Sequence, residues 1–401
     1  MKRVILALLT LASSTRADLI AHVETDKGTI DVVMQYDKAP QAVANFITLS
    51  QATRTSIDPD TGAVRSFPYY VGEKFFRVLD SPSFKIAQTG SGTGTNSGGP
   101  GFTFKDEFDP TLTHIPYVLS MANSGPNTNG SQIFFTGSVP VSHLDKVHTI
   151  FGLIPDAASR AVIDALLASG DNNSSITAVS FDRTDPAAEA FDEFAQDLPT
   201  VITPPGQLVV VPGESSQFNL DPPATTGDIV TASRSTDLFT WQNEVTKHVG
   251  ISSGPDVTPA LTSIELDDAS TPSAFYNLAL AQHSDSVAPS GLSNRTLVLD
   301  NPINNHIHTY VFDSEGTGGD FSIQVIDGIK VDGEFVIDYF SSQAHSFLFQ
   351  ARTSITFGGT SFNPTVKCGW DSATDSIVTG RHSTSALGRS TFDKGPCTIT
   401  R

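Results

Sequence analysis

Residues 120–135 read SMANSGPNTNGSQIFF. Asparagine, glycine, serine and threonine fill its middle, and apolar and aromatic residues, Ile133 to Phe135, end it. Asn and Gly are typical turn residues, so one interpretation is a plain turn between two strands. The other is a loop whose amide groups serve a site. The stretch by itself leaves both open.

Two more segments carry bulky aromatic or charged groups that a simple strand-and-turn protein does not need. They are FPYYVGEKFFRV at 67–78 and SHLDKVHTIFG at 142–152. Each also has a plain structural interpretation, an arginine in a salt bridge and a histidine held in a core. Their occurrence together makes a shared site the stronger hypothesis.

The sequence around these segments predicts mostly strands. Leu19–Glu24 and Thr29–Tyr36 flank an Asp-Lys-Gly turn, which predicts a hairpin. Apolar spacing predicts a short helix that begins at Pro40 and a second over Ala157–Ser169, which Gly170 ends. With only two helices and glycine-rich loops between short strands, we expect a β-structure with helices at its ends.

Taken together and in this order, the three segments resemble the cyclophilin family of peptidyl-prolyl cis-trans isomerases. The resemblance covers residues 18–182, and its most specific element is MANSGPNTNGSQIFF. The run QTGSGTGTNSGGPGFTFKDEF at 88–108 and the insert DPDTG at 58–62 resemble bacterial members in particular. The fold that this implies is mainly β, an eight-stranded antiparallel β-barrel closed by two helices.

The resemblance also implies a site, carried over position by position. Arg77 matches the catalytic arginine, and Gln88 matches the glutamine that hydrogen-bonds the substrate backbone. Ala122 and Asn123 match the residues that hold the peptide on the amino side of proline. The full set of implied site residues is Arg77, Gln88, Phe134 and His148 as catalytic, and Phe84, Ala122, Asn123, Gln132, His143 and Leu144 as substrate-binding.

Two positions depart from the family pattern. His143 stands where the family has a tryptophan, which implies weaker cyclosporin binding rather than loss of activity. The segment DSPSFKIAQ at 80–88 is longer than usual, so its register is open: Phe84 offers the pocket ring, yet counting back from Gln88 reaches Lys85.

The implied chemistry needs no nucleophile, metal or cofactor, because rotation about an X-Pro bond breaks no covalent bond. Its substrates would be proline-containing polypeptides. Two alternatives stay open from the residues: a proline-peptide binding module without catalysis, and a surface or glycan-binding protein that acts through its C-terminal part.

Charge argues against partners that are held by phosphate contacts. The chain has 401 residues, with 24 Lys and Arg against 43 Asp and Glu, a net charge of −19. Nucleic acid and anionic membrane surfaces are therefore poor partners. No apolar run after the N-terminus is long enough to span a membrane.

The first residues have the pattern of a secretory signal peptide. Lys2 and Arg3 precede the apolar run Val4–Ala12, and small and polar residues follow to Ala17. We expect residues 1–17 to be removed and the protein to be exported, to a periplasm or outside the cell. Export permits a disulfide between Cys368 and Cys397, and two buried thiols are the alternative.

Beyond the resemblance, the chain predicts a helical, Pro-rich bridge and then strands. Residues 183–205 contain an acidic helix over Pro186–Leu198 and an extended linker, and 206–401 read as an all-β domain, a sandwich or barrel of unknown role and with an unknown ligand. His306 and His308 are expected to be a surface pair rather than a zinc site, and DPDTG is expected to be a turn rather than a calcium loop.

Overall fold

A computed structural model gives the fold of most of the chain. It describes residues 19–401 apart from 205, 210–215, 226–227, 237–239, 250–259, 267–274, 283–291, 293, 302–305, 315–317, 326–329, 344–345, 358–359, 374–376, 386–392 and 401. The predicted signal peptide, residues 1–17, lies outside the described residues. None of the helices in the described part is both long and apolar enough to cross a membrane.

The first part of the chain folds into one antiparallel sheet with helices packed on it. Its strands and helices are β1 Leu19–Thr25, β2 Gly28–Met34, α1 Pro40–Ser50, β3 Ser56–Ile57, β4 Val64–Arg65, β5 Arg77–Asp80, β6 Lys85–Thr89, β7 Val118–Met121, β8 Ile133–Thr136, β9 Ile150–Leu153, α2 Ala157–Ser169, β10 Ile176–Arg183 and α3 Pro186–Ala190. Eight strands lie in the order β10-β1-β2-β9-β7-β8-β6-β5. An isolated β-bridge pairs Lys74, which precedes β5, with Ser175, which precedes β10, so the two edge strands are linked at this point. The predicted cyclophilin-like architecture is confirmed.

Both predicted helices form where their sequence signals place them. α1 has proline in its first turn and buries Phe46 and Ile47 in the core. At the start of α2, the Asp156 carboxylate accepts a hydrogen bond from the backbone N–H of Ser159, and Gly170 ends the helix with a φ of 76°. Glycine adopts that positive φ without the steric cost that other residues meet.

Strand register brings the predicted site residues together. Arg77 of β5 pairs with Gln88 of β6, and Gln88 pairs in turn with Phe134 of β8. Ser120 of β7 continues the row beyond Phe134. Residues far apart in sequence therefore stand side by side at one end of the sheet.

Residues from 200 onward form two smaller sheets and a closed barrel. The strands are β11 Thr200–Ile202, β12 Gly206–Val209, β13 Ser216–Thr225, β14 Ile229–Ser235, β15 Gln242–His248, β16 Ala260–Leu266, β17 Phe275–Gln282, β18 Thr296–Asn301, β19 His306–Phe312, β20 Gly318–Val325, β21 Lys330–Gln343, β22 Ser346–Thr353, β23 Thr356–Phe357, β24 Thr360–Ser361, β25 Thr365–Ala373, β26 Ile377–Ser385 and β27 Asp393–Thr400. The sheets β11-β17-β14-β15 and β12-β13-β16 make up what we call the two-sheet unit. The strands β18-β19-β20-β21-β22-β25-β26-β27 close into the C-terminal barrel. Each unit has an apolar cluster of its own.

The helix expected over Pro186–Leu198 is shorter than predicted, since α3 ends at Ala190. Phe191 leaves helical geometry because its ring packs against Tyr36, 5.4 Å away. The Arg183 guanidinium also donates hydrogen bonds to the carbonyls of Ala188 and Phe191. These contacts hold the chain against the first sheet and stop the helix.

The predicted disulfide is not formed. Cys368 and Cys397 are free thiols, both buried in the barrel. They lie on β25 and β27, which β26 separates. With β26 between them, their backbones are not neighbours: Cys368 is opposite His382 and Cys397 is opposite Gly380 on that strand. Burial, and then a hydrogen bond with Cys397, raises the pKa of the Cys368 thiol well above its usual value.

The histidine pair on β19 is also placed differently from the expectation. The rings of His306 and His308 stack 6.3 Å apart, but His308 is buried and packs edge-on against Phe321 and Phe362. It belongs to the barrel core rather than to the surface.

Candidate active site at the end of the first sheet

A row of polar side chains crosses the sheet at the predicted site. Arg77 is exposed, and its Nη1 donates a hydrogen bond of 3.0 Å to Oε1 of Gln88. Nε2 of Gln88 donates to Oε1 of Gln132 at 2.9 Å. Gln132 is held in turn by the carbonyls of Asn96 and Gly98, to which its Nε2 donates. Because a guanidinium has five N–H donors, Arg77 is oriented and keeps donors for a ligand.

An aromatic wall adjoins this row. Phe134 is almost fully buried, and its ring meets His148 edge-on with centroids 5.4 Å apart. Nδ1 of His148 lies 3.0 Å from the carbonyl oxygen of Met121. A carbonyl only accepts hydrogen bonds, so Nδ1 carries the proton and fixes the orientation of the ring.

His114 also packs against Phe134, a role that the sequence did not predict. The two rings are stacked, with an interplanar angle of 7° and centroids 6.1 Å apart. His114 Nδ1 lies 2.8 Å from a carboxylate oxygen of Asp145, and its Nε2 lies 3.1 Å from the Ser120 hydroxyl. Burial lowers the pKa of His114, and the hydrogen bond to Asp145 opposes that shift. No motif in the sequence marks His114 for this position.

The long segment at 80–88 forms a turn that presents Phe84. The Ser81 hydroxyl and backbone N–H both donate to the Phe84 carbonyl, and the Phe84 N–H donates back to that hydroxyl. The Phe84 ring packs against His143, with centroids 5.3 Å apart. Lys85 instead forms an ion pair with Asp80. Of the two candidates, Phe84 rather than Lys85 therefore supplies the ring at the site.

Leu144 lies one residue beyond His143, in the single helical turn Ser142–Leu144. It is half-buried, and its carbonyl accepts a hydrogen bond from the backbone N–H of His148. The turn thus joins His143 and Leu144 to the aromatic wall.

The loop after β7 is held by a buried carboxylate. The N–H of Ala122 donates to the carbonyl of Gln132 at 2.9 Å. Nδ2 of Asn123 donates to the Val147 carbonyl at 2.6 Å and to Asp106 at 3.4 Å. Asp106 also accepts from the backbone N–H of Asn127 and from Nδ2 of Asn129.

The C-terminal barrel completes this network with an arginine that sequence reasoning missed. Nη1 of Arg381 lies 3.1 Å from Oδ2 of Asp106, whose side chain is fully buried. Nη2 of Arg381 donates to Oδ1 of Asn127 at 2.9 Å, and the guanidinium carbon lies 4.6 Å from the Phe108 ring centre. Burial raises the pKa of Asp106, and the charge of Arg381 opposes that shift.

Two further barrel residues bind the same loop. Nζ of Lys367 donates to the carbonyl of Ser124 at 2.5 Å, and Nδ2 of Asn127 donates to the carbonyl of Trp370 at 2.9 Å. The barrel therefore contacts the loop that carries Asn123.

A cavity of about 640 Å³ opens beside the polar row. Five of the predicted residues line it: Arg77, Gln88, Ala122, Asn123 and Gln132. The two-sheet unit supplies four more lining residues: Ile229, Thr231, Asn243 and Thr246. The other five predicted residues are Phe84, Phe134, His143, Leu144 and His148, which form the aromatic side of the site. Across the described residues, no three His, Cys, Asp or Glu side chains are grouped so as to hold a metal ion.

Comparison with known proteins agrees with this arrangement. The family profile described as cyclophilin type peptidyl-prolyl cis-trans isomerase/CLD matches residues 20–180. Peptidyl-prolyl cis-trans isomerase A of Mycobacterium tuberculosis is 43% identical over 159 residues, which cover 39% of this chain and 85% of that protein. Peptidyl-prolyl cis-trans isomerase B of Streptomyces anulatus is 42% identical over 155 residues, 38% of this chain and 86% of that protein.

Among solved structures, a cyclophilin type peptidyl-prolyl cis-trans isomerase of Cryptosporidium parvum matches with a TM-score of 0.34 and 25% sequence identity. The match covers 42% of this chain and 99% of that one. No family profile matches the C-terminal half.

Proposed function

The chain belongs to the cyclophilin-type peptidyl-prolyl cis-trans isomerases, and from that premise we propose that it isomerises X-Pro bonds of exported polypeptides with Arg77 as the essential hydrogen-bond donor. The isomerase domain is the part that matches the family, residues 20–180. Catalysis by Arg77, and export of the substrates, go beyond what the family membership gives.

The barrier to be lowered comes from amide resonance. Rotation about a peptide bond costs about 18–20 kcal/mol because the nitrogen lone pair is delocalised into the carbonyl. In the twisted transition state that lone pair is localised on the nitrogen and accepts a hydrogen bond that the planar amide cannot accept. A donor aimed at that nitrogen binds the transition state more tightly than the ground state, which is the condition for catalysis.

The observation that supports Arg77 as this donor is its hydrogen bond to Gln88 at the edge of the cavity. One N–H is used to orient the guanidinium, and the group remains exposed. An arginine is permanently charged and its donors form a rigid fork. Loss of one well-aimed donor typically costs on the order of 10²–10³ in rate.

The aromatic wall suits the proline ring itself. Proline has no backbone N–H, so an apolar surface can hold its ring without leaving a donor unpaired. Phe134, almost fully buried, forms the base of that surface, and the half-buried His148 meets it edge-on. The reaction transfers no proton and so needs no base, and the hydrogen bond from Nδ1 to the Met121 carbonyl holds His148 as part of the wall.

The peptide on the amino side of proline would pair with the backbone of Ala122 and Asn123. The side-chain amide of Asn123 is committed to Val147 and Asp106, which fixes that backbone. Gln88 and Gln132 lie next to it and offer amide groups to the same peptide.

Exchange between cis and trans proline signals in NMR tests this function. With a short Ala-Pro peptide, we expect wild-type protein to catalyse exchange and Arg77→Ala to lower kcat/KM by about 10²–10³. Arg77→Lys keeps the charge but loses the rigid, planar set of N–H donors, so its kcat/KM should also be severely reduced. Arg160→Ala is the matched control, because Arg160 lies on α2 and binds the Ile154 carbonyl away from the cavity.

Two results would count against the proposal. Peptide binding without catalysed exchange by the wild type would favour a binding module. Equal rates for wild type and Arg77→Ala would remove Arg77 from the mechanism. Export has a separate test, since mass spectrometry of the protein from its native cells should find a chain that begins at Asp18.

A further inference from the structure

The cavity at the site is closed on one side by residues that lie outside the family-matched region. Thr231 belongs to β14, and Asn243 and Thr246 belong to β15, all on the two-sheet unit. Each of them lines the same cavity as Arg77 and Gln88. We call the surface formed by Thr231, Asn243 and Thr246 the polar wall.

The polar wall is fixed to the isomerase domain. A Cβ added to Gly62 would lie 3.0 Å from the Thr231 side chain and 3.3 Å from that of Asn243, so the insert at 58–62 is packed directly on the wall. Ile229 and Val201 are buried in the same apolar cluster as the isomerase core. The wall therefore stands at a defined place beside the site.

The direction of the cavity decides which part of a substrate would meet the wall. Ala122 and Asn123 lie in the cavity, and in the proposed mechanism they pair with the peptide before proline. Substrate residues that precede the proline would therefore extend along the cavity toward the polar wall.

The chemistry of the wall is polar and uncharged. The hydroxyls of Thr231 and Thr246 lie 3.4 Å apart, and Nδ2 of Asn243 lies 3.2 Å from the Thr246 hydroxyl. Among the described residues, the charged groups that line the cavity are Arg77 and Asp58, and Oδ1 of Asp58 accepts hydrogen bonds from the backbone N–H groups of Asp60 and Thr61. A volume of about 640 Å³ is within the range of sites that hold a substrate segment.

We infer that the polar wall is a substrate subsite that selects polypeptides with uncharged polar side chains several residues before the proline. This inference rests on the proposed function. Hydroxyl and amide side chains of the substrate would exchange hydrogen bonds with Asn243 and Thr246, which are both exposed in the cavity. A carboxylate side chain there would lie near Asp58, a charge of the same sign, because the insert that carries Asp58 packs on the wall.

A comparison of two peptides distinguishes binding at the subsite from the isomerase activity itself. The short peptide has one residue before Ala-Pro, and the long peptide adds Ser-Asn-Thr-Ser on its amino side. For wild-type protein we expect kcat/KM to be about five- to tenfold higher for the long peptide, the effect of one or two added hydrogen bonds. A long peptide with Asp residues in the added segment should lose that gain.

Substitutions in the wall should affect the long peptide alone. Thr246→Trp fills the space at the wall, so kcat/KM for the long peptide should fall to the value for the short one. Asn243→Ala removes an amide without adding bulk and should give part of that loss. Thr262→Trp is the matched control, because Thr262 is an exposed residue of β16 in the other sheet of the same unit, and it should change neither value.

The outcomes separate failure of the subsite from failure of the proposed function. Equal kcat/KM for both peptides with the wild type, or an equal fall for both in Thr246→Trp, would overturn the subsite and leave the isomerase intact. No catalysed exchange with either peptide would overturn the proposed function, and the subsite with it.

Discussion

Replacing Arg381 by methionine should destabilise the protein, because it leaves a buried carboxylate without its cation. The Asp106 side chain is fully buried, and Arg381 is about three-quarters buried, with 26% exposure. Methionine keeps much of the apolar stem of arginine beside the Phe108 ring but removes the charge and both hydrogen bonds.

The expected loss is about 3.5–4 kcal/mol in the free energy of unfolding. Removing one partner of a buried ion pair typically costs about 3–5 kcal/mol, because the other charge stays buried. The lower end applies here, since Asp106 keeps hydrogen bonds from Asn123, Asn127 and Asn129. Loss of the cation–π contact adds about 0.5–1 kcal/mol.

The loss should depend on pH. Burial already raises the pKa of Asp106, and without Arg381 it would rise further. A raised folded-state pKa means that the folded protein holds the proton more tightly than the unfolded chain does. The unfolded chain titrates in the same way in both proteins, so the cost of the substitution grows as pH rises from the folded-state pKa of Asp106 in the wild type towards the higher folded-state pKa in the variant, and it shrinks in acid, where Asp106 is protonated in both.

The assay is urea unfolding at neutral pH and at about pH 5, followed by the fluorescence of Trp370 with Trp241 replaced by Phe throughout. Trp370 is fully buried in the barrel and lies next to the contact. Asp106→Asn combined with Arg381→Met should lose less than Arg381→Met alone, because no charge remains buried. Lys330→Met is the control: Lys330 forms an exposed pair with Asp332 and should change stability by less than about 0.5 kcal/mol.

A loss of less than about 0.5 kcal/mol for Arg381→Met at neutral pH would refute this reasoning. So would a loss that does not shrink at any acid pH at which the protein stays folded. Either result would mean that Arg381 of the barrel does not stabilise the charged form of Asp106.

Three other predictions concern the core and the joints of the fold. Burial raises the pKa of Glu107 from 4.5 to about 7, so the free energy of unfolding should fall as pH rises through that window. That dependence of stability on pH should vanish in Glu107→Gln, and an unchanged dependence would assign it to another group. Cys368 and Cys397 should resist thiol reagents until urea unfolds the protein, and a reductant should leave stability unchanged; a protein without free thiols would contradict the structure. Gly62→Ala should lower the free energy of unfolding by at least about 1–2 kcal/mol, because Gly62 has a φ of 70° and a Cβ there would press on Thr231. Gly99→Ala is the control, since Gly99 has open space around it, and equal melting temperatures for the two variants would refute the packing of Gly62 on Thr231.

Much of the site was predictable because it lies in short, continuous segments. Arg77, Phe134 and His148 each sit in a run that has a plain structural interpretation by itself, and the three runs together and in this order indicate the site. Phe84 was less certain, since counting alone favoured Lys85. The hydrogen bonds of the turn at Ser81 and the ion pair of Lys85 with Asp80 decided it.

Local signals also determined the helices and strands of the isomerase domain. Pro40, Asp156 and Gly170 mark helix ends through their own backbone and capping properties, which depend on neighbouring residues only. The helix expected to reach Leu198 ended early because the contact that stops it, Tyr36 with Phe191, joins residues far apart in the chain.

Only the tertiary structure decided the part of the site that the two-sheet unit and the C-terminal barrel supply. Arg381 and Asp106 are 275 residues apart, and no sequence spacing indicates that they meet. The polar wall is equally invisible in sequence, because Thr231 and Thr246 are ordinary strand residues until β14 and β15 lie against the insert that carries Gly62. Turns, caps and motifs are set by neighbours along the chain, whereas the partners of a buried charge and the walls of a cavity are set by how separate faces pack.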